Sequence, residues 1–380
     1  MQERIARMIL NMVPGMGPVR FAALLERFGS AASILGAGEQ CLAGVPGIGG
    51  ALASAIRCAV SDLPWREQLE RAAKLGVEIV IDGDPGYPRS LAEIHDPPLV
   101  LYRWGAAAGA GVPQTIAVVG SRRTSIYGQD VARRLAFQLA ELGFVVVSGL
   151  ARGIDTAAHR GTIQASGVTW AILGTGVDVI YPAENAELAV RVREKGAVFS
   201  EFPLGSAPDR RHFPMRNRIL AGCSMGVVVV EADRRSGALI TARQALDQGR
   251  MIFAVPGKIT SPLSRGPHAL IKQGAKLVEG VEDILEEFEY LFPPRRMRQE
   301  SADRPPVAVS NNVRSEDPRE QQLIEVLAGS GPKVIDDITA ASGLDPGETA
   351  GLLFRLQLKK LVRQFPGQRY GLSVPEESTD

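Results

Sequence analysis

The sequence predicts a doubly wound α/β domain as its centre, a Rossmann-like parallel sheet with helices on both faces. Three observations carry this. Six short apolar runs recur between residues 115 and 281: Ile116-Val119, Phe144-Val147, Thr169-Leu173, Ala197-Phe199, Val227-Val230 and Met251-Val255. They are too short for helices and apolar on both faces, which is how strands buried in a parallel sheet read. Segments of helical period alternate with them: Tyr127-Leu142, Ile154-Ala165, Asn185-Glu194, Met215-Ala221, Leu239-Gln248 and Pro267-Gln273. Finally, Gly-rich turns follow several of the runs, as strand-to-helix connections require.

Ligands in such folds sit outside the carboxyl ends of the strands, where the strand order reverses. The residues at those ends are Gly120-Ser121-Arg122-Arg123, Ser148-Gly149 through Arg152-Gly153, Gly174-Thr175-Gly176 and Glu231 to Gly237, which includes Ser236. The segment Asp209 to Arg218 precedes a crossover helix and holds four arginines, one acid and Phe213. By composition this rim is an anion site.

The chain has 380 residues and net charge +1, so any basic surface is local rather than global. Its three cysteines, Cys41, Cys58 and Cys223, lack metal-ligand spacing and point to a reducing compartment. The start lacks a secretory pattern, and no run approaches the ~18 apolar residues that span a bilayer. A cytoplasmic protein without a membrane partner is expected.

Taken in order, residues 1–62 read as helical, with two similar phrases, Val13-Pro14-Gly15-Met16-Gly17-Pro18 and Val45-Pro46-Gly47-Ile48-Gly49-Gly50, each directly before a helix. They resemble helix-hairpin-helix turns, whose free N–H groups can hold a phosphate. The unit is read as a helix-hairpin-helix/SAM-like domain, with a purely structural helical packing unit as the alternative because basic residues are sparse near the second hairpin. Residues 63–292 form the α/β domain, entered through a helix at Trp65-Leu75, a strand at Val77-Ile81 and a further strand within Pro97-Tyr102. Residues 293–318, rich in Pro, Arg and Ser, read as a linker. Residues 319–374 give three helical patterns, Glu320-Ala328, Val334-Ser342 and Gly347-Leu361, and then a hairpin around Pro366-Gly367, a winged helix. Asp345 and Glu348 stand where its third helix begins, the wrong sign for phosphates, which favours a protein-contact or regulatory module over duplex reading.

Several chemistries are disfavoured. The dinucleotide fingerprint and the Walker loop are both missing, so no cofactor is expected. Ser148 is not in a nucleophile elbow. Asp155 and His159 share a helix face and form either a base with its orienter or a cap with a locally bonded histidine. No histidine has a partner at metal-ligand spacing, so neither catalytic nor metal residues are assigned. What remains is binding. Arginines hold a backbone while an aromatic stacks bases, the pattern of single-strand recognition. Arg216 and Arg218 could instead pair internally with Glu201 or Glu231, and Phe213 could be core.

The phrases Gly120-Ser121-Arg122, Ser148 to Asp155 with His159, Gly176 to Pro182, Phe213-Pro214-Met215-Arg216-Asn217-Arg218-Ile219, Ser236 to Ala242 and Val255-Pro256-Gly257 resemble the DNA-processing protein A (DprA/Smf) family over about residues 80–290. The resemblance implies a non-enzymatic single-stranded DNA binder that helps load the recombinase RecA onto incoming DNA in natural transformation. It also implies a homodimer formed through the α/β domain. By motif, the DNA pocket would use Gly120, Ser121, Arg122, the Arg211 to Phe213 segment, Asn217 and Lys276. The rim composition adds Arg123, Ser148, Gly149, Arg152, Arg216, Arg218, Ser236 and Gly237. Ala183 stands where the family often has lysine. A nucleotide-phosphate hydrolase on a related fold is the competing reading, weakened because Ser236 to Arg243 lacks that family's glutamate. A transcription factor led by residues 319–374 is a third.

Overall fold

The structure, a computed structural model, describes residues 1–105, 114–288, 317–327, 333–359, 361–365 and 369–372. The expected Gly105-Gly111 loop (beyond Gly105), the linker from 293 to 316 and the Pro366-Gly367 turn lie outside these residues. Two compact units are present, Met1–Pro293 and Pro294–Asp380.

The first unit opens with five helices, α1 (Glu3–Met12), α2 (Pro18–Phe28), α3 (Ala31–Gly36), α4 (Glu39–Ala43) and α5 (Gly50–Asp62). The two repeated phrases fold alike. Met16 N–H donates to the Val13 carbonyl and Ile48 N–H to that of Val45, both at 3.0 Å, around Gly15 (φ 82°) and Gly47 (φ 83°). The positive φ is why glycine stands at both turns. The helices close over a shared core of Ile9, Leu10, Phe21, Leu24, Ile34, Leu42 and Ile56, and Leu99 of the α/β portion enters that core. Asn11 also donates to the Glu201 carbonyl at 2.8 Å. Helices and sheet are thus packed as one body.

Next come α6 (Trp65–Leu75), β1 (Val77–Val80), α7 (Arg89–Ala92) and β2 (Leu101–Gly105). The alternating part runs β3 (Thr115–Val119), α8 (Ile126–Glu141), β4 (Val145–Ser148), α9 (Ile154–Gln164), β5 (Thr169–Ile172), α10 (Ala186–Lys195) and β6 (Ala197–Ser200). It continues with α11 (His212–Gly222), β7 (Gly226–Val229), α12 (Gly237–Asp247), β8 (Met251–Ala254), α13 (Arg265–Lys272), β9 (Lys276–Leu277) and α14 (Glu282–Glu286). The strands form one nine-stranded sheet in the order β1-β2-β6-β5-β4-β3-β7-β8-β9. Pairing is parallel from β6 to β9, while β2 is antiparallel to both its neighbours.

Both faces are covered, as the doubly apolar strands require. On one face Ile116, Val118, Val146 and Val228 meet Ala132, Leu135, Ala136 and Leu139 of α8 and Ala157 and Ala158 of α9. On the other, Ala117, Val147, Ile172 and Val229 meet Ile219 and Leu220 of α11 and Ala242 and Ala245 of α12. Trp170 and Phe199 pack edge to face there, ring centroids 5.5 Å apart. The order reverses at β3: the chain steps first to β4 on one side and later to β7 on the other. The switch point therefore lies at the ends of β3, β4 and β7.

The second unit contains α15 (Pro318–Leu327), β10 (Lys333–Val334), α16 (Ile335–Ser342), α17 (Pro346–Leu358), β11 (Val362–Phe365) and β12 (Arg369–Leu372), with strand order β10-β12-β11. Leu323, Ile324, Ile338, Leu352, Leu353, Leu356 and Val362 form its core. Asp345 caps α17 by accepting from the N–H groups of Gly347 and Glu348 at 2.9 and 3.4 Å. Glu348 is ion-paired with Arg319.

Candidate nucleic-acid interface

Three loops meet at the switch point and brace one another. The Glu231 carboxylate, buried at the end of β7, accepts from the Thr124 hydroxyl (2.6 Å), the Ser125 N–H (2.9 Å) and the Ser125 hydroxyl (2.7 Å). Ser121 N–H donates to the Glu231 carbonyl at 2.6 Å. These bonds fix the β3–α8 loop, and Ser125 then caps α8 by accepting from Gly128 N–H. Within the loop, the Ser121 hydroxyl accepts from Arg123 N–H at 3.1 Å. The β4–α9 loop presses against it. At Gly153 (φ 76°) a Cβ would stand 2.3 Å from the Ser121 carbonyl oxygen, so only glycine lets the two loops approach.

Asp155 ties down the same loop from inside, accepting from Gly149 and Ala151 N–H at 3.1 and 3.3 Å. Burial raises its pKa, and the Arg216 guanidinium opposes that. Arg216 itself is 4% exposed, donates to the Ile172 carbonyl and fills the space a Cβ on Gly149 would need. Burial lowers its pKa to about 10. His159 is fully buried. The Thr169 hydroxyl donates to the Val146 carbonyl (2.8 Å), so His159 Nδ1 donates to Thr169 Oγ1 (2.7 Å). Burial brings its pKa down to about 3, keeping the ring neutral. Asp155 and His159 are therefore loop holder and core donor, not an exposed base with its orienter.

Arg218 is likewise interior. It is paired with the buried Glu201, donates to the Asp96 carbonyl at 2.5 Å and faces the Asp96 carboxylate at 3.4 Å. Burial raises the Glu201 pKa to about 7 against the pull of Arg218. Ser148 is fully buried and donates to the Val118 carbonyl at 2.7 Å. Of the expected surface contacts, then, Ser148, Gly149, Arg216 and Arg218 build the rim from within. Arginine count alone does not tell inside from outside. Lys276 is not brought to the cluster either. It sits on β9, three strands (roughly 14 Å at ordinary strand spacing) from β3, and is ion-paired with Glu286 and Glu287 at 2.8 and 3.3 Å.

What the structure does bring together is a smaller set. The exposed Arg122 guanidinium lies 4.9 Å from the centroid of the Phe213 ring, and the ring of Tyr181, 45% exposed, lies 5.9 Å from the same centroid. Phe213 is half-buried and rests against Gly174. His212 stacks on Phe202 with ring centroids 4.0 Å apart, which anchors the start of α11. Asn217 lies just beneath, its amide 3.5 Å from the Gly237 carbonyl at the start of α12, where Ser236 is the cap. Arg123 is exposed beside Arg122, while Arg152 and Arg211 are exposed but ion-paired with Glu184 and Asp209. Sequence reasoning left Arg210, Arg234, Arg235 and Tyr181 out of the candidate set. All four are exposed, and the tandem arginines directly before the cap Ser236 were the available signal.

Free arginines, an aromatic pair and a helix start without acids in its first turn make a surface suited to a sugar-phosphate backbone with unstacked bases. Residues 78–289 match the family profile described as DNA recombination-mediator protein A. The chain belongs to the DprA/Smf family. Residues 304–368 match the DprA winged helix domain. The chain is 42% identical over 286 residues to Protein Smf of Escherichia coli, 74% of each chain. It is 33% identical over 384 residues to Protein Smf of Synechocystis, 95% of this chain and 96% of that one. Among solved structures, DNA processing protein A from Streptococcus pneumoniae aligns at TM-score 0.66 with 36% identity, over 75% of this chain and 98% of that one. That of Helicobacter pylori, described for its single-stranded DNA binding mode, aligns at TM-score 0.51 with 26% identity, over 56% and 96%. A DprA-type DNA-processing role in recombination follows from this membership. No helix among the described residues is long and apolar enough to cross a membrane.

Proposed function

We propose that this chain binds single-stranded DNA at the switch-point rim and does no chemistry on it. The observation that carries the reading is the Arg122–Phe213–Tyr181 cluster, a cation and two rings at a braced loop edge. Arg122, Arg123 and Arg210, with Arg234 and Arg235 on the neighbouring strand end, would hold phosphates. Tyr181 and the open part of Phe213 would stack bases, and Asn217, Ser236 and Gly237 would shape the floor. The DNA-binding mode described for the Helicobacter pylori relative supports this. The test is a titration of a labelled oligonucleotide, single against double stranded, at two salt concentrations. Preference for the single strand is expected, with log affinity falling by about 0.7 per phosphate contacted for each decade of salt. Equal binding to duplex would count against it.

The family description as a recombination mediator supports a further step, loading of a RecA-type recombinase on the bound strand in the cytoplasm during transformation. Earlier onset of recombinase ATP hydrolysis on strands coated with single-strand-binding protein would test it. A homodimer through the α/β unit fits the apolar surface of Leu246 (68% exposed), Met251 and Leu277 beside a cavity of about 470 Å³ between α12, α13 and the β8–β9 edge. Leu246→Glu should then shift the sedimentation coefficient to that of a monomer.

The competing nucleotide-hydrolase reading has less to stand on. Ser236 to Arg243 forms a helix cap and first turns, and Asp155 already bonds two backbone amides. Release of base or phosphate from a nucleotide panel would revive it.

A further inference from the structure

The exposed cations of the rim fall into two classes. Arg122, Arg123, Arg210, Arg234 and Arg235 have no ion pair among the described residues. Arg152 and Arg211 each meet a carboxylate fork to fork. Arg152 donates through Nε and Nη2 to the two oxygens of Glu184 at 2.8 and 2.7 Å. Arg211 donates through Nη2 to Asp209 Oδ2 at 2.6 Å and through Nε to both oxygens at 3.1 and 3.2 Å, while its N–H reaches Oδ1 at 2.8 Å. These donor edges are the ones a phosphate would take, since carboxylate and phosphate oxygens match the guanidinium fork in the same way.

Neither pair braces the fold. The side chains of Arg211 and Arg152 are 84% and 61% exposed, and exposed pairs contribute little to stability. Arg218 with Glu201, 8% exposed on both sides, is the contrasting case. An exposed ion pair that adds little stability yet covers a phosphate-binding edge competes with the ligand. We propose that Asp209 and Glu184 are built-in counter-ions, carboxylates that hold Arg211 and Arg152 until a backbone phosphate displaces them. This rests on the reading of the rim as a single-strand site. Binding at these two arginines then exchanges one anion for another. The displaced carboxylate keeps its charge beside the strand, so the strand releases fewer of its condensed cations and the net gain is small, which holds affinity and residence time below what the arginine count would give.

The test is the affinity of the full chain for a labelled oligothymidylate across a salt series, for Asp209→Asn, Glu184→Gln and the control Glu141→Gln. The control removes the same charge from the exposed far end of α8. Each rim variant should bind roughly threefold more tightly at low salt and steepen the salt slope by about 0.7. The gain should vanish in Asp209→Asn/Arg211→Gln and in Glu184→Gln/Arg152→Gln, while Glu141→Gln binds as the wild type. Unchanged or weaker binding by either carboxamide variant overturns the assignment for that pair. A gain that persists without the arginine, or one that Glu141→Gln matches, overturns it as a net-charge effect. Failure of the wild type to bind the oligonucleotide at all would instead remove the rim as a DNA site, and this inference with it.

Discussion

Arg210 and Arg211 stand eight or fewer positions from Arg216 and Arg218 in one arginine-rich segment, yet the two halves do opposite work. The first half, ahead of α11, is exposed to solvent, while the second is folded under it against Ile172, Asp155, Glu201 and Asp96. Burial of α11 makes the difference. The helix is covered all round from Arg216 to Gly222, so Arg216, a turn before Ile219 and Leu220, meets Ile172 of the sheet, while Arg218 points across the helix to Glu201 and Asp96. An interior arginine is a structural group with a fixed carboxylate or carbonyl, and a rim arginine is a ligand group whose partner comes from outside.

This contrast can be broken most directly at Arg218. Arg218→Ala leaves the buried Glu201 without its partner, so it must take up a proton or bear an unpaired charge, and stability should fall by about 3–5 kcal/mol, read by urea unfolding. Arg122→Ala should stay within about 0.5 kcal/mol of the wild type in the same assay. Equal losses would erase the distinction.

An effect that is smaller at each pH unit, but spread over several units, is expected from pH. His159 has its pKa lowered from 6.5 to about 3, so the unfolded chain binds the proton more readily than the fold does. Its contribution is full above about pH 6.5 and is lost as pH falls from there toward 3, at up to about 1.4 kcal/mol per unit. In His159→Gln the stability-pH curve should be flatter across that window. An unchanged slope would mean the ring is not held neutral.

Binding effects come next. Phe213→Ala should weaken single-strand binding by roughly 1–3 kcal/mol if the ring stacks on a base, and Tyr181→Ala, the more exposed ring, should do at least as much. No loss at either would return both rings to a packing role. The smallest effect belongs to the winged unit. Asp345→Ala removes the α17 cap and should cost about 1 kcal/mol of that unit's stability, with single-strand affinity unchanged.

The sheet was legible because its strands are buried on both faces, which leaves an apolar signature that neighbouring residues cannot disguise; Val227-Val230 and Ile116-Val119 fall within a residue of the observed strands. The switch point was legible as Gly, Ser and Arg at strand ends. The burial of Arg216 and Arg218 was not, because it depends on α11 being covered on more than one side, by the sheet at Ile172 and by Asp96 and Glu201 from elsewhere in the chain. The separation of Lys276 from the rim cluster was not legible for a related reason: a motif position carries no information about strand order or about Glu286 and Glu287, which pair with it. The Asp345 and Glu348 carboxylates, read as the wrong sign for phosphates, turn out to be a helix cap and an ion pair. Their presence therefore needs no ligand to explain it.

The most direct test of the rim is the charge reversal Arg122→Glu, followed by anisotropy titration of a labelled single strand alongside thermal unfolding of the same sample. Arg122 pairs with no acid among the described residues and packs on Phe213, so affinity should drop by roughly tenfold or more at low salt while the melting temperature stays put. Wild-type affinity in the reversed variant would contradict the assignment of this surface to DNA.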